Sequence, residues 1–368
     1  MTEQEACVAF NLTDRIGSVR AAQLRSAAGG SLAAAWEAFD GKVSRSGGEV
    51  DWAGEFALAR RYGVEIVTEV DGAYPARLRE ISGHPLVLYV KGDVAALSRP
   101  AIALVGTRRV TAYGRDIAGR FGHDLAAAGW TVVSGLALGV DAAAHRGALD
   151  AKGVTVGVIG SGLDRFYPEE NRPLAREIAA NGGAVVSEFP FGRVPDQQTF
   201  PIRNHTVAGL AAGVVAIEAP LKSGTLITTS IAADLGRTVM AVPGRITDRM
   251  SSGCLRLIRE GAVAVCDADD VLEALGPIGA GLRPVADAEA AEERPAERSC
   301  PSADLPPFSV EEAMVMRHVT EAPLSMDELV QLTGLPVMNV NSLCMTLRIK
   351  GRLRFLPGNR VALPPSRG

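Results

Sequence analysis

Residues 101–275 predict an α/β domain built on a parallel sheet, with a helical domain before it and a small helix-and-ribbon domain after it. Three observations carry that reading. Between 101 and 275, seven short runs rich in Val, Ile and Ala alternate with amphipathic stretches of helical length. Residues 276–308 are rich in Pro, Ala and Glu and show no apolar period. From 309 onward the spacing changes to three helical stretches and two short strands.

The elements follow in order. In "RIGSVRAAQLRSAAGGSLAAAWEAF" (15–39) apolar positions recur every three or four residues, and Gly29-Gly30 interrupts them, so 1–62 is expected to be helical. The core domain is expected over 63–275. Its strands are placed at 101–105, 131–133, 154–159, 184–187, 214–217, 238–242 and 262–265, with helices such as 114–128 and 225–236 between them. The runs do not alternate with polar residues. They are therefore buried on both faces, which means a parallel sheet with helices on each side. Residues 276–308 have too few apolar groups to pack and are expected to be a disordered linker. In the tail (309–368), Ser325 and Glu328 fit a capping box, Pro336 opens a third helix, and Pro357-Gly358-Asn359 turns between two strands. Helix, helix, recognition helix and wing make a winged helix. Arg348, Lys350, Arg352 and Arg354 gather where the last helix meets the wing. That arrangement suits duplex DNA or a protein partner, and the pattern leaves both open.

Composition narrows the class. With 47% hydrophobic and 22% charged residues, the 368-residue chain is an ordinary globular protein long enough for two or three cores. No apolar run reaches the roughly eighteen residues of a membrane helix. The first residues, MTEQEACVAF, carry acids where a signal peptide carries bases, so the expected location is cytoplasmic. Cys7, Cys254, Cys266, Cys300 and Cys344 are scattered, which predicts reduced thiols rather than a metal site or disulfides. A net charge of −4 confines any nucleic-acid binding to local patches.

Ligands of parallel sheets sit beyond the carboxyl ends of the strands, and there the Gly/Ser/Arg-rich stretches gather. Lys222-Ser223 follows Glu218-Ala219-Pro220-Leu221, without the glycines of a P-loop. "GVIGSGLDR" offers Gly160 and Gly162, but Arg165 stands where a dinucleotide fingerprint needs a small residue. Glu188, at the next strand end, is placed as a ribose-binding acid would be. Asp141 and His145 share a helix face with no nucleophile beside them; a capping Asp and a packed His account for them. No cofactor is expected. What remains is a set of anion-binding loops: Gly106-Thr107-Arg108, Ser134-Gly135, Arg203-Asn204 and Lys222-Ser223-Gly224-Thr225. Arg108 is suited to grip a phosphate bidentately. The last loop precedes a helix whose backbone N–H groups attract anions. Phe200 beside Arg203 and Asn204 suits a base stacked next to its own phosphate. Alternatively, Phe200 is core and Arg203 pairs with Glu188 or Glu218.

The motifs themselves resemble the DNA-processing protein A family (DprA, also called Smf). They are "YPARLREISGHPLVLYVKG" (74–92), "ALVGTRR" (103–109), "SGLALGVDAAAHRGAL" (134–149), "GSGLDRFYPEEN" (160–171), "SEFP" (187–190), "FPIRNHTVAGL" (200–210), "EAPLKSGTLIT" (218–228) and "VPG" (242–244). The resemblance implies a Rossmann-like core, a SAM-like N-terminal domain and a winged-helix tail. It also implies non-enzymatic binding of single-stranded DNA in natural transformation, protecting incoming strands and helping to load the RecA recombinase as a homodimer. By matching position, the strand-binding residues are Gly106, Thr107, Arg108, Ser134, Gly135, Phe200, Arg203, Asn204, Lys222, Ser223, Gly224 and Thr225. The dimer contact is expected near Leu255, Leu257, Ile258, Val271, Leu272 and Leu275.

Three departures stand out. Leu138 occupies an arginine position of the family, His205 replaces the second arginine of "RNR", and Leu255 replaces the asparagine of "GTNxLI". Two rival readings belong to other classes. One is a nucleotide-processing enzyme of the lysine-decarboxylase-like fold, whose "PGGxGT" loop is missing because Arg245 follows Val242-Pro243-Gly244. The other is a winged-helix regulator whose α/β domain senses a small ligand.

Overall fold

The computed structural model describes residues 1–45, 47–276, 309–320, 324–350, 352–356 and 360–363. They fall into two compact units, one within Met1–Ala288 and the other within Glu289–Gly368. The predicted linker lies outside the described residues apart from Gly276, as does the 357–359 turn.

The larger unit opens with four helices, α1 (Glu3–Leu12), α2 (Ser18–Ala27), α3 (Leu32–Ala38) and α4 (Trp52–Tyr62). Thr2 and Glu5 form a capping box on α1. Phe10, Trp36, Phe39 and Trp52 build an aromatic cluster between them. Across the boundary to the core, Arg25 and His84 both reach the buried Glu69, His84 Nε2 at 2.7 Å.

The sheet contains nine strands: β1 (Glu65–Thr68), β2 (Val87–Gly92), β3 (Ala101–Val105), β4 (Thr131–Ser134), β5 (Thr155–Val158), β6 (Ala184–Ser187), β7 (Gly213–Ala216), β8 (Thr238–Ala241) and β9 (Val263–Ala264). Their order is β1-β2-β6-β5-β4-β3-β7-β8-β9. The seven expected strands are β3 to β9, and all pair in parallel. The sheet also has an edge that 101–275 does not contain. There β2 runs antiparallel to β6, and β1 antiparallel to β2. These strands belong to a separate pairing that covers the flank of β6, so the α/β alternation of 101–275 does not announce them.

Alternate strand residues enter two cores, as a doubly covered sheet requires. Ile102 and Leu104 face Phe121, Leu125, Trp130 and Val140 beneath α6 (Ala112–Ala127) and α7 (Val140–Asp150). Ala103 and Val105 face Val207, Leu210 and Ala232 beneath α9 (Thr199–Leu210) and α10 (Gly224–Asp234). Val271, Leu272 and Leu275 join the first core and are buried. Leu257 and Ile258 pack against a core around Cys254, and Leu255 is half-buried. Of the residues named for the dimer contact, Val271, Leu272 and Leu275 are thus engaged inside their own domain, while Leu255, Leu257 and Ile258 keep partial exposure.

The smaller unit has α13 (Val310–Met316), α14 (Met326–Thr333) and α15 (Val337–Ile349) around Val315, Leu329, Val340, Cys344 and Leu347. The expected capping box of Ser325 and Glu328 is present. The ribbon strands β11 (Arg354–Leu356) and β12 (Arg360–Ala362) pair antiparallel, and a short β10 (Leu324–Ser325) adds to β12. Lys350 is engaged by Glu312 at 2.6 Å.

Candidate nucleic-acid interface

The strand order puts β3 between β4 and β7, so the loops after β3 and β7 diverge to opposite sides of the sheet. That switch point is where open α/β sheets ordinarily bind their ligand. Here the chain fills it with its own carboxylate. Glu218, buried just beyond β7, accepts a hydrogen bond from Thr111 N at 3.0 Å and another from Thr111 Oγ1 at 2.6 Å. Thr111 is the N-cap of α6. The backbone of Thr107 in turn donates to the Glu218 carbonyl at 2.7 Å. A Cβ at Gly114 would land on the Glu218 carboxylate, so the glycine in the first turn of α6 lets the acid approach. A negative group at this helix N-terminus satisfies the donors and dipole that would otherwise draw a phosphate.

The neighbouring crevice, beyond the ends of β3, β4 and β5, is different. Arg108, Gly135, Leu138, Gly160, Tyr167, Phe200 and Arg203 line a small concavity there. Its floor is Arg203, carried by α9 with a side chain only 8% exposed. Arg203 Nη1 stands 3.8 Å from Asp141 Oδ2, which also accepts from Gly135 N (3.1 Å) and Ala137 N (3.3 Å). Burial raises the Asp141 carboxyl above its ordinary range, against the pull of Arg203 and those amides. Burial likewise lowers Arg203, against Asp141, and the nearby Arg108 charge adds to the lowering. Arg203 Nε is buried without a hydrogen-bond partner. A Cβ at 135 would land on Arg203 Nη1, so only glycine lets the guanidinium lie under this loop.

Above the floor, the exposed Arg108 guanidinium lies 4.8 Å from the centre of the Phe200 ring, a cation–π contact. Tyr167 stands 6.3 Å from the same ring, tilted against it. Beneath the floor is His145, fully buried. Thr155 Oγ1 donates to the Val132 carbonyl (2.7 Å), so it accepts from His145 Nδ1–H (2.7 Å), leaving Nε2 as an unpartnered acceptor. Burial, with the field of Arg203, lowers the His145 pKa to about 3. Its imidazole is neutral.

The concavity thus gathers four of the sequence-predicted residues: Arg108, Gly135, Phe200 and Arg203. Gly106 and the buried Thr107 lie directly before Arg108, where Thr107 Oγ1 accepts from Arg109 N at 3.2 Å. Asn204 is half-buried next to Arg203 on α9. Ser134 ends β4 fully buried, its hydroxyl donating to the Leu104 carbonyl at 2.6 Å and facing inward. Lys222, Ser223, Gly224 and Thr225 do not line the concavity. Ser223 caps α10 by accepting from Thr225 N at 3.2 Å, and Lys222 is exposed with no ion pair among the described residues. Arg203 pairs with Asp141, not with the alternatives Glu188 or Glu218. Glu188 is half-buried and accepts from Thr206 Oγ1 at 2.8 Å, and desolvation raises it to about 7. Asp141 is no helix cap; it fastens the loop before α7. Tyr167 also lines the concavity and was not among the predicted residues, although "GSGLDRFYPEEN" displays an aromatic in a strand-end loop; Gly160, weighed only for a dinucleotide fingerprint, lines it too.

Comparison with known proteins places this geometry. The family model for DNA recombination-mediator protein A matches residues 65–276, and that for the DprA winged helix domain matches 294–359. The chain belongs to the DNA recombination-mediator protein A family. It is 39% identical over 220 residues to DNA processing protein DprA of Bacillus subtilis, covering 60% of this chain and 74% of that protein. It is 35% identical over 290 residues to Protein Smf of Escherichia coli, covering 79% and 75%. Among solved structures, it is similar to DNA processing protein A of Streptococcus pneumoniae (TM-score 0.61, 33% identity, 74% of this chain and 98% of that one). It is also similar to DNA processing protein A of Helicobacter pylori, whose structure concerns a single-stranded DNA binding mode (TM-score 0.52, 30% identity, 57% and 95%). Among the described residues, no helix is long and apolar enough to cross a membrane.

Proposed function

We propose that this protein binds single-stranded DNA without sequence preference, in the DNA processing that accompanies natural transformation and recombination. The observation that carries the reading is Arg108 stacked on Phe200 directly above the buried Arg203. A ring offers a base its face, and two cations offer its phosphates their charge; neither reads a base edge. The single-stranded DNA binding mode described for the Helicobacter pylori relative supports the same ligand. In this reading the chain is a cytoplasmic, non-enzymatic homodimer that shields incoming strands and helps to load RecA. Lys222 to Thr225 then extend the strand's path beyond the concavity. The winged helix is a separable domain that contacts duplex DNA or a protein. The plugged switch point argues against a dinucleotide-dependent enzyme, because Glu218 holds the place a pyrophosphate would need.

The test is a titration of the full chain with single-stranded DNA, duplex DNA and free nucleotides at two salt concentrations. Single strands of unrelated sequence should bind alike, and more weakly at high salt. Tight binding confined to one duplex sequence would instead favour a regulator.

A further inference from the structure

The geometry of the concavity points to a phosphate monoester on a nucleoside, entering end-on against Arg203, as its ligand. This rests on the strand-binding reading and narrows it. A strand lying across the surface meets Arg108 at the rim, but each internal phosphodiester carries a sugar on both sides. The cavity above Arg203 is small, about 30 Å³. An anion with one esterified oxygen therefore reaches the floor with less obstruction than a diester flanked by a sugar on each side.

The floor is short of acceptors. Arg203 is more than nine-tenths buried, its Nε has no partner, and its nearest carboxylate oxygen, at 3.8 Å, lies beyond hydrogen-bond distance. That oxygen is already shared by the amides of Gly135 and Ala137. A monoester brings three free oxygens and about two negative charges, where a diester brings two oxygens and one charge. With the phosphate on the floor, its own nucleoside extends outward toward the exposed Tyr167 and the Phe200 ring beside it. Arg108 then closes over the phosphate from the rim. The monoester has two possible sources, the terminus of a strand and a free mononucleotide.

Fluorescence anisotropy on the full chain distinguishes them. One oligonucleotide is titrated with a 5′-phosphate, with a 3′-phosphate, and with hydroxyls at both ends; dAMP and deoxyadenosine serve as competitors. One phosphorylated end should bind about tenfold tighter or better than the hydroxyl end, the worth of a charge-assisted contact. That result assigns the pocket to strand termini. Competition by dAMP but not deoxyadenosine, without any end preference, assigns it to free mononucleotides. In either case Arg203→Lys should abolish the preference while thermal melts report a folded protein. Gly135→Ala, which displaces the same guanidinium, provides a second variant. Equal affinity of the wild type for all three strands, with no competition by dAMP, overturns the inference and leaves strand binding standing. Failure to bind any strand overturns the strand-binding reading and this inference with it.

Discussion

Two adjacent crevices at the strand ends of one sheet have opposite fates. At the switch point between β3 and β7, the fold offers an anion a helix N-terminus, and the chain occupies it with Glu218. Next to it, beyond β3 to β5, the chain buries Arg203 with a distant carboxylate and an unpartnered Nε. The first crevice is satisfied internally. The second retains unused donors, and there the stacking ring and the second cation gather. Topology says where ligands of such a sheet usually bind, but hydrogen-bond satisfaction decides which crevice is still open.

The comparison is most severely tested on the floor of the open crevice. Arg203→Ala leaves Asp141 buried without its cationic partner, and breaking such a pair should destabilise the protein by about 3 kcal/mol. A denaturant titration measures it, and an undiminished midpoint would show that the pair is not structural. In the closed crevice, Glu218→Ala removes two hydrogen bonds to a buried carboxylate and should cost about 2 kcal/mol. Because it also empties the N-terminus of α6, added phosphate should restore melting temperature to this variant more than to the wild type. If phosphate gives no such rescue, Glu218 is a packing residue and not a stand-in for a ligand.

A smaller effect is written in pH. His145, below Arg203, has its folded pKa lowered from 6.5 to about 3, so the unfolded chain binds the proton more readily. Its contribution to stability is complete above about 6.5 and declines as the pH falls toward 3. His84 has the opposite sign. The hydrogen bond to Glu69 raises its pKa, so its contribution is present at low pH and is lost as the pH rises through the raised value. Melts of His145→Gln and His84→Gln across pH 4 to 8 separate the two, each variant flattening its own limb.

Much of this was legible in the residues. Short apolar runs that do not alternate marked all seven parallel strands, and Ser325 with Glu328 marked the start of α14. β1 and β2 escaped because edge pairing, not the α/β alternation, gives "VLYVKG" its place. The residues of the loops were legible as a set, but their directions were not. Ser134 and Gly135 are consecutive, yet one hydroxyl faces the Leu104 carbonyl while the next backbone makes room for Arg203. Arg203 had two acidic candidates in the sequence, Glu188 and Glu218, and tertiary packing gives it a third, Asp141. That Glu218 would face the N-terminus of α6 depends on contacts more than a hundred residues apart.

On the strand-binding proposal, Arg108 in the open crevice neutralises a DNA phosphate. The measurement that tests it directly is the dependence of log K on log salt for single-stranded DNA, taken on Arg108→Ala with its melting temperature. Lys222→Ala serves as the comparison from outside the concavity. Arg108→Ala should melt like the wild type, weaken binding alike for every sequence, and flatten the slope by about 0.7, the value for one phosphate on a single strand. A stable Arg108→Ala protein whose salt slope is unchanged would contradict the proposal.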